Sequence, residues 1–234
     1  DFLKLDLWTW QDGTQSIYEA VNATLKNPAV VNADITKIER TGGKVYITVN
    51  GETETFDKLI VTAPLQYFPN YADATDQEKE LFSKIDYSRY DTMGVSMKPG
   101  KTPDESYYIF DNMRNDRRGH CMLYFKRWTD DDEQPIITYV LQNHKDLPDV
   151  PYETCKQNVF QDSIDMDFPI DKIHMEKAWY YFPHIFSEDY ADGWYDKVEA
   201  MQGTNNTYYA GEIMSFGDME ETATYSKELI KRFF

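Results

Sequence analysis

Hydrophobic residues recur along this chain in two rhythms, and the switches between them mark its elements. Ile17, Ala20, Val21, Thr24 and Leu25 return at helical spacing, with Thr14 or Ser16 placed to cap the helix and Asn27-Pro28 placed to stop it. Strand patterns follow over residues 29–40, 44–49 and 53–62. Turns at Thr41-Gly42-Gly43 and Asn50-Gly51 separate them, the second a strong hairpin signal. The third strand ends in Leu59-Ile60-Val61-Thr62-Ala63-Pro64, an apolar run of the kind that enters a sheet buried on both faces.

Beyond Pro64 the pattern predicts a helix over 76–85, strands over 90–97, 105–110, 121–128, 136–141 and 173–181, and a helix over 150–168. Several strands with helices on one side predict an α+β fold built on an antiparallel or mixed sheet. Residues 186–206 read as a polar return segment. Tyr208-Tyr209-Ala210 is then a short buried strand, Gly211 a sharp turn, and Gly217-Asp218 the start of a helix that runs to residue 234. Asp218 is the expected N-cap, with Glu220 and Glu221 complementing the helix dipole in the first turn. A strand, a glycine turn and a helix N-terminus present backbone N–H groups to an anionic or carbonyl-bearing ligand, although an ordinary β–turn–α connection has the same form.

Composition narrows the partners. The 234 residues suffice for one large domain or two small ones, and 41% hydrophobic with 15% aromatic content fits a folded chain. A net charge of −17 argues against nucleic acid and anionic membranes, because phosphate binding needs basic surface. No run approaches the roughly 20 apolar residues of a membrane span, and the first residues do not read as a signal peptide. A cytoplasmic location is expected. The chain does not begin with Met, so an excised or processed piece is expected. Cys121 and Cys155 lack metal spacing, and two free thiols are the simpler reading beside a disulfide. The sequons at Asn22 and Asn205 carry no weight without a secretion signal. Carboxylates gather at Thr129-Asp130-Asp131-Asp132-Glu133 without the glycine and spaced ligands of an EF-hand. That stretch reads as a solvated hairpin loop, and no metal is expected.

Four pieces stand in a telling order. Asp12-Gly13-Thr14-Gln15-Ser16 precedes the hairpin of residues 29–49, then comes Phe56-Asp57-Lys58-Leu59-Ile60-Val61-Thr62-Ala63-Pro64. Tyr208-Tyr209-Ala210-Gly211-Glu212 follows, with Gly217-Asp218-Met219-Glu220 behind it. The order resembles the C-terminal two-thirds of flavin-containing amine oxidases and related NAD(P)-binding FAD-dependent oxidoreductases. Residues 11–66 and 178–234 carry the resemblance, the middle only by position and size.

The resemblance implies FAD as the parent protein's cofactor and transfer of a hydride equivalent to it from a small organic substrate such as an amine, and the aromatic-rich middle of the chain points to an apolar or aromatic compound. It implies Ile35, at the end of the segment beginning at Val31, near the adenine. Thr62, Ala63 and Pro64 would lie beside the cofactor, and Gly211 and Glu212 at the pyrophosphate and ribityl region. Gly217, Asp218 and Met219 would face the flavin pyrimidine ring, where a helix N-terminus stabilises growing negative charge. Trp179-Tyr180-Tyr181-Phe182-Pro183-His184 resembles the segment that brings an aromatic residue to the substrate side. Trp179 and Tyr181 are the candidates there, with core packing an equal reading. His184, after Pro183, is considered but no catalytic residue is assigned, and His120, His144 and His174 read as structural.

One departure shapes the expectation. None of the eleven glycines forms the Gly-x-Gly-x-x-Gly turn that holds the pyrophosphate in this family, and no Gly-x-x-x-x-Gly-Lys-Ser/Thr occurs. The chain therefore reads as a fragment. Residues 1–66 would be partial FAD-domain elements, 67–185 the substrate domain, and 186–234 the return to the FAD domain. Such a fragment would bind FAD weakly or not at all, would not turn over, and would expose faces prone to self-association. The alternative is a non-enzymatic α+β binding module with an acidic, aromatic-rich surface. A hydrolase is a weaker third reading, for neither Gly-x-Ser-x-Gly nor His-Glu-x-x-His is present.

Overall fold

The change of character at Pro64 is a change of sheet. The computed structural model describes residues 10–127, 134–143, 145, 147–215 and 217–234. Helix α1 (Gln15–Thr24) opens them. Its N-cap position is Thr14, but the Thr14 side chain makes no capping bond, and the Ser16 hydroxyl donates to the Gly13 carbonyl instead. An antiparallel meander follows, β1 (Ile35–Thr41), β2 (Lys44–Val49) and β3 (Glu52–Phe56). The strand expected from residue 29 begins at Ile35. Asn32 takes a left-handed φ of 55°, and the Asp34 N–H is held by the Asn50 side chain at 2.9 Å, so the chain before Ile35 does not join the ladder.

The strand expected over 53–62 is two strands in different sheets. Asp57 stays with Lys44 of β2, whereas Lys58 reaches the other way. Its ammonium donates to the Phe233 carbonyl at 2.6 Å and lies 4.1 Å from the centre of the Phe234 ring. After this parting of neighbours β4 (Leu59–Val61) leaves the meander.

Helix α2 (Asp76–Phe82) starts on a reciprocal cap. The Thr75 side chain accepts from the Glu78 N–H, and the Glu78 side chain accepts from the Thr75 N–H. Five strands then build the large antiparallel sheet: β5 (Asp86–Met97), β6 (Tyr107–Tyr108), β7 (Leu123–Phe125), β8 (Ile136–Gln142) and β9 (Ile170–His184). Their order across the sheet is β6-β7-β8-β5-β9, with α3 (Tyr152–Asp165) inserted in sequence between β8 and β9. Strand β8 shows the two-residue period clearly. Ile136, Thr138, Val140 and Gln142 are buried, while Ile137, Tyr139 and Leu141 face the other way. On the buried side Met93, Val95, Val140, Cys155 and Val159 form one core with α3. The acidic loop of residues 129–133 lies outside the described residues.

Residues 186–206 are not a simple polar return. They form two short helices, α4 (Ser187–Ala191) and α5 (Trp194–Ala200), joined through Gly193 at φ 76°. Trp194, Val198 and Met201 are buried, and the Trp194 indole N–H donates to the Leu81 carbonyl at 2.8 Å. Three apolar positions among acidic neighbours are too few to stand out as a periodic stretch. Strand β10 (Thr207–Tyr209) pairs in parallel with β4, and α6 (Met219–Phe233) closes the fold. A second core joins the meander, α2, α5 and β10 around Leu65, Phe68, Phe82 and Tyr209. Edge-to-face pairs such as Phe82–Tyr209, with centroids 5.2 Å apart, contribute about 0.5–1.5 kcal/mol each beyond their burial. The fold is α+β, as its pattern predicted. Among the described residues no helix is long and apolar enough to cross a membrane.

Candidate functional site

The site is assembled where β4 and β10 end side by side. The Ala210 N–H donates to the Val61 carbonyl at 2.9 Å, extending the parallel pair by one bond. Gly211 then turns at φ 101°, and a Cβ there would stand 2.9 Å from the Thr62 carbonyl oxygen. Glycine satisfies both the left-handed backbone and the close approach. Thr62, Ala63 and Pro64 consequently lie beside Ala210 and Glu212, lining a concavity of about 240 Å³ together with Tyr87 and Tyr180.

A larger concavity of about 600 Å³ opens beside it, lined by Tyr18, Tyr181, Glu212, Gly217, Asp218 and Met219 among others. Glu212 borders both. No hydrogen bond or ion pair engages its carboxylate among the described residues, and burial raises its pKa above the ordinary glutamate value. A Cβ on Gly217 would meet the Glu212 Oε1 at 2.9 Å and the Phe182 ring at 3.0 Å, so a side chain here would require both neighbours to shift. Asp218 caps α6 as expected, its Oδ1 accepting from the Glu221 N–H at 2.8 Å. The N–H groups of Met219 and Glu220 have no partner within the helix and carry its positive end.

Eight of the nine residues expected at the cofactor thus come together: Thr62, Ala63, Pro64, Gly211, Glu212, Gly217, Asp218 and Met219. Ile35 lies apart on β1, half-exposed, paired across the ladder with Val49. Of the two substrate candidates, Tyr181 lines the larger concavity. Trp179 sits two residues back on β9, its indole N–H donating to the Thr92 hydroxyl at 3.1 Å.

The open face of the large sheet adds residues that were not singled out from sequence. Tyr181 on β9 stacks on Tyr90 of β5, and Tyr90 stacks on Tyr139 of β8, with centroids 5.2 Å apart in both pairs. Burial raises the pKa of Tyr90 and of Tyr139, which keeps both phenols neutral. The result is an aromatic strip running from the sheet into the larger concavity. The alternation of Tyr90 with Asp91 and of Tyr139 with Thr138 and Val140 was the available signal.

The histidines do not converge on this site. His120 bonds Asp162 at 2.9 Å near α3, and His174 bonds Ser96 at 2.5 Å. The His184 ring is tied to the Phe182 carbonyl, and His144 lies outside the described residues. Among the described residues no group of three or more His, Cys, Asp or Glu side chains could hold a metal. The residues present do fit a flavin dinucleotide: a glycine that admits close backbone approach, N–H groups at a helix start without a partner in the helix, and a carboxylate with no hydrogen bond or ion pair among the described residues.

Solved structures share this fold. A CLA-producing fatty acid isomerase from P. acnes is 51% identical to this chain and matches 100% of it with a TM-score of 0.95, while the chain covers 55% of that protein. A putrescine oxidase variant with redesigned cofactor binding matches 94% of the chain at 9% identity and TM-score 0.66, with 53% of that protein covered. A reduced UDP-galactopyranose mutase matches 86% at 16% identity and TM-score 0.61, with 45% covered. The last two show the fold alone. No family model and no curated protein matches the sequence. The structural neighbours are FAD-dependent oxidoreductases, and the chain is homologous to members of that family. It spans about half the length of the relatives it matches.

Proposed function

We propose that this chain is the C-terminal part of a FAD-dependent enzyme that moves a double bond along an unsaturated fatty acid. The observation that carries this reading is 51% identity, over the whole chain, to a CLA-producing fatty acid isomerase. The stacked strip of Tyr90, Tyr139 and Tyr181 supports it, because stacked rings suit a hydrocarbon chain. This refines the amine, apolar or aromatic substrate expected from the sequence.

When bound, FAD supplies an acceptor that takes a hydride equivalent from the substrate and can return it, so a double-bond shift needs no external oxidant. The chain's own residues bind and orient. Gly211 admits the pyrophosphate and ribityl region to the backbone, and Glu212 offers an acceptor to ribityl hydroxyls. Thr62, Ala63 and Pro64 form the facing wall. Gly217, Asp218 and Met219 would hold the pyrimidine ring at the helix start, which favours negative charge. Ile35, distant from this cluster, suits the adenine end. Tyr181 and Trp179 border the substrate and exclude water from it.

In this reading residues 1–66 and 186–234 belong to the FAD domain and 67–185 to the substrate domain, in a cytoplasmic enzyme. The Gly-x-Gly-x-x-Gly turn absent from this sequence would be supplied by a further part of the protein, so the chain alone holds FAD weakly or not at all. The half-exposed Tyr18 and Val21 of α1, together with Leu25, Val30 and Val31 beyond it, would then promote self-association of the isolated chain.

The test is the full-length protein, purified without added cofactor. A flavin absorption spectrum that survives gel filtration, together with growth of conjugated-diene absorbance on adding linoleic acid, is expected. A colourless protein that remains so after incubation with FAD overturns the flavoenzyme reading. A flavoprotein that oxidises amines and leaves linoleic acid unchanged overturns the isomerase.

A further inference from the structure

Strand β9 breaks its register beside the site. Tyr87 pairs with Pro183 and Ser88 with Tyr181, so the register shifts by one residue at Phe182, the extra residue of a β-bulge. Phe182 also has a φ of 54°. For a bulky side chain that conformation is unfavourable, and it persists only where surrounding contacts hold it.

Two contacts do so. The Phe182 ring packs against Gly217 at the start of α6, 3.0 Å from where a Cβ would stand. On the other side His184 Nδ1 lies 2.9 Å from the Phe182 carbonyl oxygen. A carbonyl only accepts, so Nδ1 carries the hydrogen and donates it. The Nε2 atom of the same ring is buried and has no partner among the described residues, and the ring packs edge-on against Phe186 at 5.2 Å. Among the described residues, His184 therefore spends its one hydrogen bond on the bulge.

The bulge sorts the aromatic residues of β9. Tyr181 before it stacks on Tyr90 and lines the larger concavity, whereas Tyr180 and Pro183 line the smaller one. Phe182 itself is turned onto Gly217, next to Glu212. We infer that His184 is a positioning residue: by latching the left-handed bulge at Phe182, it sets which wall of the cofactor and substrate site each aromatic residue of β9 forms. The meaning of those walls rests on the flavoenzyme reading, while the latch itself does not.

The experiment uses the full-length protein and its His184→Leu and His184→Asn variants, followed by amide hydrogen exchange, with the imidazole nitrogen shifts of His184 measured in the unsubstituted protein. The shifts are expected to show Nδ1 protonated. His184→Leu is expected to speed exchange at residues 181–184 by roughly three- to tenfold, the factor one lost hydrogen bond is worth, with the rest of the sheet unchanged. Asparagine places an amide N–H near the position of Nδ1, so His184→Asn restores slow exchange. Exchange at 181–184 as slow in His184→Leu as in the unsubstituted protein overturns the latch, and so does an Nε2-protonated ring. If His184→Leu fails to fold, the nitrogen shifts and the His184→Asn variant decide the matter. A protein that shows the latch and carries no flavin overturns the functional reading alone. One that carries flavin and shows no latch overturns this inference alone.

Discussion

Arg40 and Glu78 meet fork to fork inside the protein, with Nη1 donating to Oε1 at 2.5 Å and Nη2 to Oε2 at 2.9 Å, and neither side chain reaches solvent appreciably. Arg40 comes from β1 and Glu78 from the first turn of α2, while the Arg40 Nε donates to Asp73 at 2.7 Å. The Tyr209 hydroxyl donates to the same Glu78 carboxylate, so the pair also anchors β10, the strand that leads into Gly211. Burial works against the Arg40 charge, but Glu78 and Asp73 outweigh it and hold its pKa above the ordinary arginine value. Arg40→Met strands a buried carboxylate and is expected to cost about 3–5 kcal/mol in urea unfolding. Arg40→Lys, which lacks the fork, is expected to recover little of that loss. In the double variant Arg40→Met/Glu78→Leu the loss should be well below the sum of the single ones.

The same pair predicts acid sensitivity. Burial pushes the Glu78 carboxyl up, but its bonds to Arg40, Tyr209 and the Thr75 N–H prevail and hold it below the ordinary glutamate value. A carboxyl with a lower pKa folded than unfolded stabilises the fold above the unfolded value, and that contribution is lost as pH falls toward the folded value. Stability measured by urea midpoint is therefore expected to decline below about pH 5, near the ordinary glutamate range. Glu78→Gln should be less stable at neutral pH and flatter in this window. An equal slope in both proteins would place the sensitivity elsewhere.

Gly211 and Gly51 separate strain from collision. Both have positive φ, 101° and 86°, but a Cβ at 51 meets nothing within 4 Å, whereas one at 211 meets the Thr62 carbonyl at 2.9 Å. Gly51→Ala should lose about 1 kcal/mol from backbone strain alone. Gly211→Ala should lose clearly more in thermal unfolding, and in the full-length protein should lower flavin retention on gel filtration.

Both thiols should be silent in the native protein. Burial pushes Cys121 and Cys155 up to about 12, so almost no thiolate is present near neutral pH. Alkylation at pH 8 is expected only after denaturant is added. Rapid labelling of either cysteine in the folded protein would contradict its placement.

The stacked strip offers a substrate test. Tyr181→Ala removes the ring that joins the sheet to the larger concavity and should raise KM for an apolar substrate by roughly two- to tenfold, the worth of one aromatic contact. Tyr139→Phe keeps the ring and should change KM little. Steady-state kinetics on the full-length protein distinguish the two.

What was legible in advance was whatever a short stretch decides for itself. Residues 44–49 form a strand because apolar positions alternate between two turns, and Asp218 caps α6 because its carboxylate reaches a free N–H three residues on. Gly211 was legible for the same reason, since its neighbours demand a turn. The ordered motifs even indicated that Thr62 and Glu212 share a site, because the residue types required by close backbone approach are few.

Other features were decided by partners far away in sequence. Nothing near residue 57 announces that Asp57 will hold Lys44 while Lys58 turns to Phe233, yet that divergence splits one apolar run between two sheets. Trp194 is buried by its bond to Leu81, which no local period records. Tyr90, Tyr139 and Tyr181 alternate like many half-buried strand residues, and only the spatial order β8-β5-β9 stacks them. The sequence by itself determined where the backbone turns, caps and extends, because those choices are made among neighbouring groups. The tertiary structure alone decided which faces meet, because burial and pairing depend on surfaces that only folding brings together.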